Sequence, residues 1–218
     1  MSLLRLHSTN DHVTTLGPGP ALGIWVQGCP IGCVGCTSRP TWDPRGGVTA
    51  EVSDVVHWMN ASGLRHVTIS GGEPMEQAPA LIELIDRARA ERDWVVTCYS
   101  GYHLDALRRD RRPRTSDLLD RLDLLIDGPY LAQRHAPLLW RGSTNQRVRS
   151  LSGRVDLPAD LSAGVAYVSN PDRSGEFIGV FPEPRLLETV TAALAANGTP
   201  VTVSERPRSF PFPTHQEQ

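Results

Sequence analysis

Four short apolar runs, each breaking off into a glycine-containing turn, constrain this chain more tightly than any other feature. "LGIWVQ" (22–27) runs into "GCP", "HVTIS" (66–70) into "GGEP", "WVVTCYS" (94–100) into "GY", and "DLLID" (123–127) into "GPY". Runs of this length bounded by glycine and proline read as buried strands. Between them the period lengthens. Val52, Val55, Val56 and Met59 recur at helical spacing with Thr49 placed to cap that helix, and Leu81, Leu84, Ile85 and Ala88 mark the face of a second. "LDALRRD" and "SDLLDRL" suit two short helices before the fourth strand. Strand and helix alternating in this way argue for an α/β fold of parallel βαβ units. Ligands on such sheets gather in the loops beyond the strands' C-terminal ends. The loop after residue 27, "GGEP", "YSGY" and "DGPY" therefore converge on one edge.

Past about residue 150 the texture changes. "VAYVS" and "FIGVF" suit a strand pair, Pro184 to Asn197 a last helix ended by Gly198, and "RPRSFPFPTHQEQ" a proline-punctuated tail that frays. The 218 residues thus divide into a core domain over 1–150 and a C-terminal extension and tail over 151–218. A formal net charge of −2 gives no electrostatic argument for nucleic acid or an anionic membrane. The run Arg108, Arg109, Arg111, Arg112, Arg114 reads as a solvated helix end and loop. No apolar stretch approaches the roughly 20 residues that span a bilayer, and the N-terminus shows no signal pattern. The expected location is the cytoplasm, where thiols stay reduced. All 22 basic residues are arginine, which removes Schiff-base and Walker lysines from consideration.

Three of the 4 cysteines, Cys29, Cys33 and Cys36, stand in the first of these loops with the spacing C-x3-C-x2-C. In a reducing compartment such a group reads as metal-binding or catalytic. Gly28, Gly32 and Gly35 let the backbone bend so that three thiolates aim at one soft metal centre. A structural zinc loop is the plainer alternative, but it usually wants four protein ligands. The fourth cysteine, Cys98, sits inside an apolar run and reads as a core thiol.

The cysteine triplet matches the signature of the radical S-adenosylmethionine superfamily, with Gly35 where the general motif often has an aromatic. "WVQGCP" with the following "TW", then "GGEPMEQ", "YSGY", "DGPY" and "RGSTNQR" occur in the order found in the activating proteins of anaerobic ribonucleotide reductase. From about residue 16 to 150 the chain resembles that glycyl radical enzyme activase subfamily. Ala21 departs from it, standing about where an arginine is common.

The resemblance implies a partial (β/α) barrel of radical SAM type and a 4Fe-4S cluster on Cys29, Cys33 and Cys36, with S-adenosyl-L-methionine (SAM) on the remaining iron. It places Gly35, Cys36 and Thr37 near the adenine. Gly71, Gly72, Glu73 and Pro74 fall at the ligand's ammonium, where glycines permit close approach and backbone oxygens accept hydrogen bonds. The implied reaction is reductive cleavage of SAM to a 5′-deoxyadenosyl radical. That radical would generate a glycyl radical on a partner such as anaerobic ribonucleotide reductase, with an electron donor such as flavodoxin or ferredoxin. Neither nucleic acid nor membrane is expected as a partner. Two other functions stay open: a radical SAM tailoring enzyme acting on a peptide or small molecule, and a non-catalytic metal-stabilised binding module.

The same residues admit plainer roles. "GGEP" taken alone is a strand-to-helix turn, and Tyr99, Ser100 and Tyr102 are either cofactor contacts or a half-buried strand end. Asp127 either bonds a ligand or caps the "DGPY" turn. Arg141, Asn145 and Gln146 favour a cofactor or partner contact over a solvated loop. Trp25 reads as a core or pocket-wall aromatic, and Trp42 as a brace for the cysteine loop.

Overall fold

Side chains alternate across each apolar run, and that alternation sorts the chain into layers. In a computed structural model of the chain, residues 2–110, 114–157, 165–169, 175–179, 186–198 and 210–215 are described. The strands are β1 (Leu3–Val13), β2 (Ala21–Val26), β3 (Val48–Glu51), β4 (His66–Gly71), β5 (Val95–Ser100), β6 (Leu124–Asp127), β7 (His135–Leu138), β8 (Arg141–Ser143), β9 (Arg147–Ser150), β10 (Val165–Ser169) and β11 (Gly175–Gly179). The helices are α1 (Val52–Ala61), α2 (Ala78–Glu91), α3 (Leu104–Arg109), α4 (Thr115–Leu119) and α5 (Leu186–Ala196). None of the described helices is long and apolar enough to cross a membrane.

Seven strands make one sheet in the order β3–β1–β2–β4–β5–β6–β9. Its centre, β2–β4–β5–β6, is parallel, with Leu22 opposite Val67, Thr68 opposite Thr97 and Ser100 opposite Asp127. These four strands are the four apolar runs of the sequence. The antiparallel margins are additions to that reading: β1 pairs with β2 and β3 on one side, and β9 with β6 on the other. Leu22, Ile24, Val26, Val67, Ile69, Val96, Cys98 and Leu125 face the helices and share one core with Val52, Val55, Val56 and Met59 of α1 and Leu81, Leu84, Ile85 and Ala88 of α2. Each such aliphatic side chain removed from water contributes about 1.5–3 kcal/mol. Residues of the other parity, Trp25, Tyr99, Leu124 and Ile126, belong to two smaller clusters on the opposite face.

Two expectations are corrected. Thr49 does not cap α1: it lies in β3, Glu51 occupies the N-cap without a side-chain bond, and the Thr49 amide donates to His215 O at 2.8 Å. Pairing with β1 outweighs the local capping preference. The described part of the tail does not fray either. His215 N–H returns a bond to Thr49 O at 2.7 Å, and Phe212 meets Trp58 edge-on at 5.6 Å, so an aromatic anchor and a backbone pair hold it. The strand pair is present as β10–β11 and the last helix as α5. Pro184, Phe181, Arg111 and Arg112 lie outside the described residues.

At the end of the sheet away from the cysteine loop, Asp123 is 1% exposed. It accepts bonds from Val96 N at 2.8 Å, Arg89 Nη2 at 2.7 Å and Ser152 Oγ at 2.6 Å. The carboxylate thereby ties α2, β5 and the segment after β9 to one point. Asp123→Ala leaves the guanidinium and the amide without their acceptor, so urea denaturation is expected to show a loss of about 3 kcal/mol.

Candidate metal centre

The cysteine loop owes its course to contacts that do not use the thiols. Gly28 N–H donates to Thr41 O at 2.8 Å and Cys29 N–H to Trp42 O at 3.1 Å, so the single 3-10 turn Arg39–Thr41 and Trp42 brace the loop from behind. Gln27 Nε2 adds bonds to Pro40 O and Asp43 O. Gly28, Gly32 and Gly35 all have positive φ (96°, 63° and 81°), a conformation that costs other residues strain. The bend inferred from the sequence is thus made at all three.

Cys29, Cys33 and Cys36 are free thiols, each partly exposed, and each sulfur faces backbone N–H groups. Burial raises the Cys29 thiol above its ordinary value, opposed by the amides of Ile31 and Gly32. Burial also raises Cys33, opposed by the amide of Tyr130 in the "DGPY" turn. The Ser38 amide approaches Cys36 Sγ at 3.3 Å. Three soft donors with amides directed at them suit an iron–sulfur cluster, whose charge such hydrogen bonds stabilise. Among the described residues no three His, Cys, Asp or Glu side chains gather closely enough for a single ion, whereas the ligands of a cubane are spread over separate irons. Cys98 is fully buried, and its Sγ contacts Tyr99 O at 3.6 Å.

"GGEP" adjoins this loop backbone to backbone. Gly72 N–H donates to Val26 O and Glu73 N–H to Gly28 O, both at 2.8 Å. A Cβ on Gly72 would lie 2.3 Å from Gly28 O, and one on Gly71 2.7 Å from Val26 N. The close approach that these glycines allow is therefore first an approach of β4 to the root of the cysteine loop. Glu73 turns inward and is 1% exposed. Its Oε1 accepts from Met75 N at 3.0 Å and Ser100 Oγ at 2.9 Å, and its Oε2 from Gly101 N at 2.8 Å. Pro74 opens the 3-10 turn Pro74–Gln77 that follows. Burial pushes the Glu73 carboxyl up to about 7, against the pull of those three donors.

The remaining sequence candidates divide. Ser100 is committed to Glu73 and to the Tyr102 amide. Asp127 is fully buried and does not cap the "DGPY" turn. Its Oδ2 accepts from Leu104 N at 2.8 Å, capping α3, and its Oδ1 from Arg149 Nε at 3.3 Å. Gln146 Nε2 donates to Gly128 O at 3.1 Å and Asn145 Nδ2 to Pro129 O at 2.7 Å, so "RGSTNQR" holds the "DGPY" turn in place. Arg141 Nη1 donates to Gln146 O at 3.2 Å. Thr37 is exposed beside Cys36. Tyr99 points to the face opposite the helices. Two contributors escaped the sequence reading: Tyr130, whose amide meets Cys33, and Ile31, whose Cδ1 would lie 2.4 Å from a Cβ on Gly101. A cavity of about 450 Å³ opens beside Cys29, between Arg5, Gln27, Trp42, Pro44 and Gln77, away from Cys33, Cys36 and Tyr99.

Known proteins match the stretch that builds this edge. The 4Fe-4S single cluster domain family matches residues 15–149. The anaerobic ribonucleoside-triphosphate reductase-activating protein of Enterobacteria phage T4 is 29% identical over 142 residues, 62% of this chain and 86% of that protein. The pyruvate formate-lyase 1-activating enzyme of Escherichia coli (strain K12) is 37% identical over 134 residues, 56% of this chain. The chain spans half the length of that enzyme. The pyruvate formate-lyase-activating enzyme of Listeria monocytogenes (serovar 1/2a, strain ATCC BAA-679 / EGD-e) is 34% identical over 93 residues, 39% of this chain and 37% of its own length.

Glu73 gives the pH dependence of this edge a definite sign. A carboxyl whose folded pKa lies above its value of 4.5 contributes stability that is complete below that pH and lost as pH rises through about 7. The urea midpoint of the metal-free chain is expected to fall between about pH 5 and 7.5 more steeply than that of Glu73→Gln, which cannot ionise there.

Proposed function

Since the chain belongs to the 4Fe-4S single cluster domain family, we propose that it is a radical SAM enzyme that generates a glycyl radical on a partner enzyme such as anaerobic ribonucleotide reductase. The observation that carries this reading is the convergence of three amide-directed thiols with the "GGEP" turn at one sheet edge. The activase names of its relatives agree with it. In this reading residues 1–150 are the catalytic unit, folded as a partial (β/α) barrel, and 151–218 are an addition to it. Flavodoxin or ferredoxin is the proposed class of electron donor.

Cys29, Cys33 and Cys36 would hold a 4Fe-4S cluster, and the backbone of Gly71, Gly72, Glu73 and Pro74 would receive SAM, with Gly35, Cys36 and Thr37 at its adenine. Held there, the cluster would supply the one-electron reducing chemistry that cleaves SAM to methionine and a 5′-deoxyadenosyl radical, the hydrogen-atom acceptor that a glycyl radical on a partner requires. The chain's own residues orient and enclose. Glu73 fixes the "GGEP" backbone against Gly101, and Ile31 wedges the cysteine loop into the same corner. The Tyr130 amide faces the Cys33 sulfur and the Ser38 amide faces Cys36 Sγ, hydrogen bonds of the kind that stabilise a cluster's charge.

The test is anaerobic reconstitution with iron and sulfide, addition of SAM and a strong reductant, and detection of 5′-deoxyadenosine and methionine. Cys33→Ala is expected to lose both the brown chromophore and SAM cleavage, while Cys98→Ala keeps both. Bleaching of Cys98→Ala overturns the ligand assignment. A well-formed cluster with bound SAM and no cleavage, even with a glycyl radical enzyme added, overturns the activity.

A further inference from the structure

The contacts that brace the cysteine loop from behind act at its root, on Gly28 and Cys29. The half that carries Cys33 and Cys36 is met from another part of the fold by Tyr130. Its amide faces the Cys33 sulfur. One edge of its ring lies against Gly35, where a Cβ would stand 3.3 Å from Cε1. Burial, and after it the charge of Cys36, raise the phenol above its ordinary value, so the third sulfur is close to the same side chain. Gly35 stands where the general cysteine motif often has an aromatic, and here an aromatic reaches that place from the turn after β6.

The other edge of the ring abuts β8. A Cβ on Gly142 would lie 3.2 Å from both Cδ2 and Cε2. The positive φ of Gly35 calls for glycine in any case, but Gly142 lies in β8 without a positive φ, so its missing side chain is accounted for by the ring. The Tyr130 hydroxyl pairs with His135 Nδ1 at 3.1 Å, and the two rings meet edge-on at 6.0 Å. On either side of Tyr130 the backbone is pinned, Pro129 O by Asn145 Nδ2 at 2.7 Å and Leu131 N–H to Ser143 Oγ at 3.3 Å. The ring is thus wedged between two backbones and held there by its hydroxyl. Neither glycine carries a side chain that could fill the gap in its place.

Resting on the reading that Cys29, Cys33 and Cys36 hold a 4Fe-4S cluster, we propose that Tyr130 is a positioning residue for it, a wedge that fixes the Cys33–Cys36 half of the loop against β8 and keeps water from that edge. Water beside a cluster stabilises the more negatively charged, reduced state and so raises the potential. A dry edge keeps the potential low, as reductive cleavage of a sulfonium demands. The ring does this work, and the bond to His135 holds it in its slot.

The experiment is an anaerobic redox titration of cluster-loaded wild type, Tyr130→Phe and Tyr130→Leu, followed by electron paramagnetic resonance of the reduced cluster. Deuterium coupling after transfer to heavy water reports solvent near the irons. Tyr130→Phe keeps the ring and is expected to match wild type. Tyr130→Leu cannot reach both glycines, and it is expected to shift to a less negative midpoint potential with stronger deuterium coupling. Wild-type potential and coupling in Tyr130→Leu overturn the proposal, and an equal shift in both variants assigns the effect to the hydroxyl and overturns the wedge. Should Tyr130→Leu take up no iron, the melting temperature of the metal-free chain decides. A value equal to wild type upholds the positioning role, whereas a fall makes the ring an ordinary packing element and overturns it. A wild type that takes up no cluster defeats the functional reading itself, while a loaded wild type and a Tyr130→Leu variant of equal potential defeat this inference alone.

Discussion

Everything at the active edge is referred to one buried carboxylate. Glu73 is taken out of water and receives its own turn through Met75, the neighbouring strand through Ser100, and the next turn through Gly101. Three donors on one carboxylate make a rigid junction, because none can leave without exposing a buried group to an unmet partner. Gly71 and Gly72 make the junction possible by letting β4 come within hydrogen-bond reach of the cysteine loop's root. The glutamate of "GGEP" is thus an internal fastener, and the proposed reading assigns the ligand to the backbone beside it, not to the carboxylate.

The parallel centre of the sheet was legible because buried strands and amphipathic helices leave different periods in the sequence. The runs ending at residues 27, 70, 100 and 127 become β2, β4, β5 and β6. The antiparallel margins were not legible for the same reason. In β1, "LLRLHSTNDHV" alternates only over its first residues before turning polar, and β3 is four residues long. Thr49 shows how a local signal loses: a good capping residue next to a helix is recruited into a strand because β1 and His215 offer it backbone bonds.

At the site, spacing identified the cysteine triplet and the turns, but not how their side chains are engaged. Asp127 and Ser100 look like ligand contacts in a list of polar residues at strand ends. Their partners, the α3 amide and Glu73, stand 23 and 27 residues away in sequence. Tyr130 could not be read as a neighbour of Cys33, because the relation is carried by a backbone amide, which every residue but proline has. The segment beyond residue 150 and the first tyrosine of "YSGY", far apart in sequence, pack together at Ile178 and Tyr99.

The bracing of the cysteine loop by Thr41, Trp42 and Ile31 has a consequence for how such a protein survives air. None of these contacts passes through a sulfur, so they hold the root of the loop independently of iron. Oxidative bleaching would then be damage to a cargo and not to its cradle. A chain emptied in this way would be open to refilling without a folding step.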